Sequence, residues 1–177
     1  MNAAEERTEP VCFVLLGLFS ICVCYFFVWV HAMRGGAEAR RRGKAVELQL
    51  LHRLRRLGWS VLRAPGSGAR YSAPVPDIVA LKRGQALVFE VKLRNKPRSI
   101  YIEETKYLGV KEYAENAGAR AYLAVKIKGE QDFRVVPWYR AERVELRNGV
   151  WYVFYKEKLD RAISLSQLLK EISGEQD

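Results

Sequence analysis

Asp77, Glu90 and Lys92 stand in the stretch PDIVALKRGQALVFEVK, whose other residues are largely aliphatic and read as two strands joined by a turn. With Leu81 and Ala86 as the last pair around the loop Lys82-Arg83-Gly84-Gln85, counting outward sets Asp77 opposite Glu90. Lys92 follows Glu90 by two residues, so strand alternation gives these side chains one face, with Phe89 and Val91 on the other. Carboxylates opposed in a sheet, with Cβ atoms about 5 Å apart, repel each other unless a cation compensates. Oxygen-only ligands with room for water suit Mg²⁺ or Mn²⁺ rather than zinc. Such an ion polarises a phosphoryl oxygen and delivers hydroxide, while a lysine beside it stabilises developing negative charge. A second reading stays open: Asp77 simply ends a loop after Pro76, and Glu90 and Lys92 are an i, i+2 ion pair on a solvated sheet face.

Glu47 interrupts an apolar pattern. Val46, Leu50, Leu51, Leu54 and Leu57 form one stripe of a helix expected from about Lys44 to Leu57, and Glu47 shares its face with Leu50, Leu51 and Leu54 at offsets of three, four and seven. It is either a third acidic member of the site or a first-turn glutamate favoured by the helix dipole.

The other elements must position these groups. Gly58 stops the first helix, WSVLRA is a short strand, and APGSGARYSAPVP is a loop that ends by Pro76. After the hairpin come a polar loop RNKPRS, a brief extended IYI, a helix over EETKYLGVKEYAENAG stopped at Gly118, and an apolar strand ARAYLAVKI. DFRVVPW and VWYVFY read as strands around the Arg147-Asn148-Gly149 turn, and SLSQLLKEI as a terminal helix capped by Ser164. Interleaved helices and strands predict an α/β domain with a central mixed sheet flanked by helices. The segment WYVFY, residues 151–155, is apolar on both strand faces, which fits core burial or a dimer interface.

Composition narrows the chemistry. Cys12, Cys22 and Cys24 all fall in one apolar run, which excludes a disulfide framework or a cysteine zinc site from residues 34–177. His31 and His52 are too few for histidine-pair metal sites or Ser-His-Asp triads, and no Gly-rich phosphate loop occurs. The formal net charge is +10; Glu5, Glu6 and Glu9 against Arg7 leave −2 in residues 1–33, so the remainder carries +12. A nucleic acid or an anionic membrane surface is the expected partner. Among the basic residues Lys44, Arg63, Arg70 and Arg94 are candidates for phosphate contacts, the three arginines because they flank the acidic patch.

Residues 11–30 carry no charge over twenty positions, enough to span a bilayer core of about 30 Å. Acidic residues precede this run and Arg34, Arg40, Arg41, Arg42 and Lys44 follow, which places the rest in the cytoplasm if the run is an anchor. The alternative is a chain that starts at Met33; a cleaved signal peptide fits the acidic start poorly. The expected organisation is an apolar segment and N-terminal helix over 1–33, a basic linker over 34–43, and a catalytic domain over 44–177.

Glu47, Pro76-Asp77, twelve residues, then Glu90-Val91-Lys92 resembles the PD-(D/E)XK nuclease superfamily. More specifically, GKAVELQLLHRLRRLGWSVLRAPGSGARYSAPVPDIVALKRGQALVFEVKLR resembles the archaeal Holliday junction resolvases of the Hjc type, and the similarity continues through IYIEETKYLGVKEYAENAG and AYLAVKI. The resemblance implies a single restriction-endonuclease-like domain. It also implies a homodimeric, Mg²⁺-dependent endonuclease, with Mn²⁺ as a substitute, that nicks opposed strands of four-way DNA junctions and leaves 5′-phosphates. Carried over by position, it makes Glu47, Asp77 and Glu90 the metal-binding acidic set and Lys92 the catalytic lysine. Ser67, in APGSG, matches a serine implicated in catalysis.

The chain departs from the family in two places: Lys106 stands where a Gln is expected, leaving its role open, and residues 1–32 have no counterpart. The competing readings are a related nuclease acting on flaps, nicks or foreign DNA, and a membrane-tethered, non-catalytic DNA-binding protein. The intact acidic set with Lys92 argues against the latter, because close carboxylates beside anionic DNA serve no binding purpose.

Overall fold

Helix α1 covers residues 36–56 and buries Val46, Leu50, Leu51 and Leu54 along one face. The computed structural model describes residues 36–64 and 74–174, so the apolar run, Ser67 and Arg70 lie outside the described residues. Residues 36–43, expected as a linker, are helical, in keeping with the helix-forming alanines, glutamate and arginines there. Leu57 was expected on the buried stripe but is 45% exposed. The helix has ended by then, and the chain reverses through Gly58 at φ +79° with its N–H bonded to Arg55 O. Among the described residues no helix is long and apolar enough to cross a membrane.

Strands β1 (Ser60–Arg63), β2 (Ile78–Lys82) and β3 (Gln85–Arg94) run antiparallel in sequence order. Leu81 faces Ala86 as the sequence implies, and Lys82 also pairs with Gln85, so the turn is tighter than expected. Only Arg83 and Gly84 remain in it, both with positive φ, which matches the right-handed twist of a strand pair. β4 (Ile100–Glu103) and helix α2 (Glu104–Asn116) then carry the chain to β5 (Arg120–Ile127), which lies parallel to β3. β6 (Phe133–Pro137) pairs antiparallel with β5, and β9 (Ile163–Ser164) with β6. The sheet is therefore mixed, in the order β1-β2-β3-β5-β6-β9.

A second, three-stranded sheet was not foreseen. β7 (Glu142–Leu146), which the sequence did not signal, takes the place expected for DFRVVPW and forms the hairpin with β8 (Gly149–Phe154), whereas DFRVVPW is β6 of the larger sheet; β8 also pairs with β4. β8 is thus a central strand, which accounts for the apolar WYVFY: Val153 and Phe154 are buried, and Tyr152 packs against the same core. Short helix α3 (Lys156–Asp160) and helix α4 (Leu165–Ser173) complete the domain, with Ser164 Oγ accepting the Gln167 N–H at 3.1 Å as the expected cap.

Two cores follow from strand alternation. On one face of the six-stranded sheet Ile78, Ala80, Leu87 and Phe89 pack with the leucines of α1 and α4. On the other, Leu123 and Val125 pack with Val110 of α2, Ile100 of β4 and Phe154 of β8. Burying each such side chain contributes about 1.5–3 kcal/mol, so both faces of β3 and β5 are firmly held.

Candidate active site

Asp77 comes just before β2, where the Ala64 N–H bonds to its carbonyl at 3.0 Å and so ties it to the end of β1. The last β2–β3 pair is Ile78 with Phe89, and just beyond it Asp77 Oδ2 accepts the backbone N–H of Val91 at 2.8 Å. That hydrogen bond fixes the carboxylate against β3. Glu90 is opposite, in register with Leu123 of β5, and at 2% exposure it is the one buried charged residue among those described. Its Oε1 accepts Lys92 Nζ at 2.7 Å, the two side chains sharing the face that alternation predicts.

A second cation completes the cluster from another element. Lys106, in the first turn of α2, places Nζ 2.9 Å from Glu90 Oε2, 3.9 Å from Asp77 Oδ1, and 2.8 Å from the Val75 carbonyl to which it donates. The approach to Glu90 is close but lacks hydrogen-bond alignment, leaving buried Oε2 with no hydrogen-bond partner. The Asp77 carboxyl is pushed up from 3.8 to about 6, chiefly by burial and then by the charge of Glu90, against the lowering effects of the Val91 N–H and the two lysines.

The structure thus brings together Asp77, Glu90 and Lys92, and adds Lys106. Glu47 is placed differently: it lies on α1, across the sheet, with Oε2 2.9 Å from Arg63. Among the described residues no group of three or more His, Cys, Asp or Glu is assembled to hold a metal ion, so the acidic set is a pair in this structure. Lys44 is exposed on α1. Arg94 ends β3 with Nε buried and without an acceptor, its pKa drawn down by burial and by nearby Arg98.

The sequence reading missed Gly109. A Cβ there would lie 2.1 Å from Pro74 Cγ and 2.7 Å from Pro74 O, so only glycine lets α2 approach the segment that leads into Asp77. An isolated glycine inside a helical pattern was the available signal.

The donor chemistry fits a hard divalent cation: two carboxylates on one face, one with a buried oxygen lacking a hydrogen bond and the other disfavoured from ionising by burial and by its neighbour even beside two lysines. A family model described as archaeal Holliday junction resolvase (hjc) matches residues 38–176. The chain belongs to this family.

The crossover junction endodeoxyribonuclease Hjc of Sulfurisphaera tokodaii is 31% identical over 135 residues, covering 76% of this chain and 90% of that protein. The protein of the same name from Sulfolobus acidocaldarius is also 31% identical over 135 residues, covering 76% and 91%. The solved structure of Archaeoglobus fulgidus Hjc, a Holliday junction resolvase from an archaeal hyperthermophile, matches with a TM-score of 0.62 at 25% identity, over 77% of this chain and 98% of that one. The mixed sheet flanked by helices is therefore the fold of this resolvase family.

Proposed function

We propose that this protein is a divalent-cation-dependent endonuclease that binds four-way DNA junctions and resolves them by paired nicks in opposed strands. The observation that carries this reading is the convergence of Asp77, Glu90 and Lys92 on one face at the end of the β2–β3 pair, in a chain of the resolvase family.

Asp77 and Glu90 would hold Mg²⁺, or Mn²⁺ in its place; Glu47, the third ligand by the family resemblance, would join them only if Arg63 released it and its carboxylate reached the Asp77 side of the sheet. Held there, such an ion would supply an activated water and charge neutralisation at the phosphate. Lys92, with a side chain 31% exposed, presents its ammonium to the phosphate and stabilises the added negative charge. Water adds to phosphorus and the P–O3′ bond breaks, giving a 5′-phosphate and a 3′-hydroxyl. Ser67, outside the described residues, matches a serine that the family resemblance implicates in catalysis and would act with this set.

Arg63, Arg70, Arg94 and Lys44 provide phosphate contacts along the bound strand. Arg94 suits this role because its buried Nε has no acceptor among the described residues. For Arg63, a DNA phosphate would replace Glu47 as partner, coupling substrate binding to release of that carboxylate. Paired nicks call for two active sites, hence a homodimer with two-fold symmetry. If residues 11–30 are an anchor, the catalytic domain faces the cytoplasm and works at the membrane.

The test is cleavage of a labelled mobile four-way junction and a matched linear duplex, each with and without Mg²⁺. Symmetrical nicks in the junction alone, dependent on the ion, are expected. Equal cutting of duplex, or of flaps and nicked DNA in preference to junctions, would move the assignment to a related nuclease. Binding without any cutting would leave the tethered binding protein.

A further inference from the structure

The acidic pair is served by two lysines that differ in how they are held. Lys92 rises from β3 and remains open to solvent at 31% exposure. Lys106 instead arrives from α2, a helix pinned at two positions just beyond that residue. Tyr107 stacks between Trp138 and Tyr152, at centroid distances of 5.2 and 3.6 Å, and Gly109 seats the helix against Pro74. The ammonium therefore meets oxygens of three residues, Val75, Glu90 and Asp77, at 2.8, 2.9 and 3.9 Å. That is the kind of oxygen set a hard cation takes.

We propose that Lys106 is a positioning residue, the resident counter-cation of the Asp77–Glu90 pair. It holds the two carboxylates together before a divalent ion arrives, and by occupying this position it confines the site to one such ion per chain. The inference rests on the metal-dependent reading above and deepens it.

Two carboxylates this close repel unless a cation lies beside them, and Lys92 engages only Oε1 of Glu90. Without Lys106, the charge on Oε2 and on Asp77 would have to be met by a second metal ion or by protons. Lys106→Gln keeps a donor for the Val75 carbonyl while removing the charge, and Lys106→Arg keeps the charge.

The experiment uses the full chain and measures thermal unfolding in chelator and in millimolar Mg²⁺, together with Mn²⁺ stoichiometry by electron paramagnetic resonance. The wild type is expected to bind one Mn²⁺ per chain and to gain little Tm from Mg²⁺. Lys106→Gln is expected to lose about 5 °C in chelator, recover it in Mg²⁺, and bind two Mn²⁺ per chain. Lys106→Arg should behave as the wild type in both measurements.

If Lys106→Gln loses the same Tm with and without Mg²⁺ and binds one ion, Lys106 is only a packing contact and the inference is overturned. If neither protein binds Mn²⁺, the metal-dependent reading itself fails and this role falls with it.

Discussion

The two faces of the six-stranded sheet use charge in opposite ways. On the α1 face Glu47 and Arg63 form a closed pair, each side chain 22% exposed, whose partners answer each other. On the α2 face Glu90 is buried, pairs with Lys92, shares Lys106 with Asp77, and still has an oxygen without a hydrogen bond. The first arrangement is electrostatically complete. The second keeps two like charges together in a poorly solvated place, which costs stability and is warranted where a cation and a phosphate will be bound. On the proposed reading, chemistry belongs on the α2 face, and the α1 face would contribute only when its pair opens.

The largest break in this contrast should come from the α2 face. Lys92→Met is expected to lower junction cleavage on the order of 10³-fold with junction affinity largely kept, as read by single-turnover cleavage beside a gel-shift titration.

Next comes pH. Because the Asp77 carboxyl is pushed up to about 6, protons would compete with a divalent ion held there. Mg²⁺ affinity should fall about tenfold per pH unit below that value, as followed by calorimetric titration. The stability effect has the opposite sign. With a folded pKa above the unfolded 3.8, the metal-free protein loses stability as pH rises from about 4 to about 6, and the loss persists above. Asp77→Asn should escape that loss, by up to about 3 kcal/mol at neutral pH in chelator.

Gly109→Ala tests how the α2 face is assembled. Its Cβ cannot fit against Pro74, so α2 or the 74–77 segment must shift. A cost of about 1–3 kcal/mol in denaturant unfolding is expected, with slower cleavage because Asp77 and Lys106 move apart.

The smallest stability effect belongs to the closed pair. Glu47→Gln should change unfolding free energy by no more than about 1 kcal/mol, yet slow cleavage if Glu47 joins the ion when DNA binds. A variant that alters neither quantity would confine the role of Glu47 to its pair with Arg63.

The hairpin was legible in the sequence because strand alternation and the Arg83-Gly84 turn fix register locally, and register alone puts Asp77 across from Glu90. The Ser164 cap was legible for the same reason, since its partner, the Gln167 N–H, lies three residues away. Glu47 was read correctly as a carboxylate on a mostly buried helix face, but helical spacing does not say on which side of a sheet the helix will pack. The second sheet was hidden because β4 and β8 each read as strands, while their pairing joins Ile100 to Phe154 through tertiary structure. Lys106 was noticed only as a departure from the family pattern; its partners come together because Gly109 admits Pro74, a contact that no local pattern specifies.

The most direct test of the central claim separates binding from chemistry at the α2 face. Junction affinity and junction cleavage by Asp77→Asn would be measured beside wild type in the same Mg²⁺ buffer at neutral pH. The account predicts affinity within a few-fold of wild type with no detectable nicking. Cleavage at the wild-type rate would contradict it and place the reaction elsewhere in the protein.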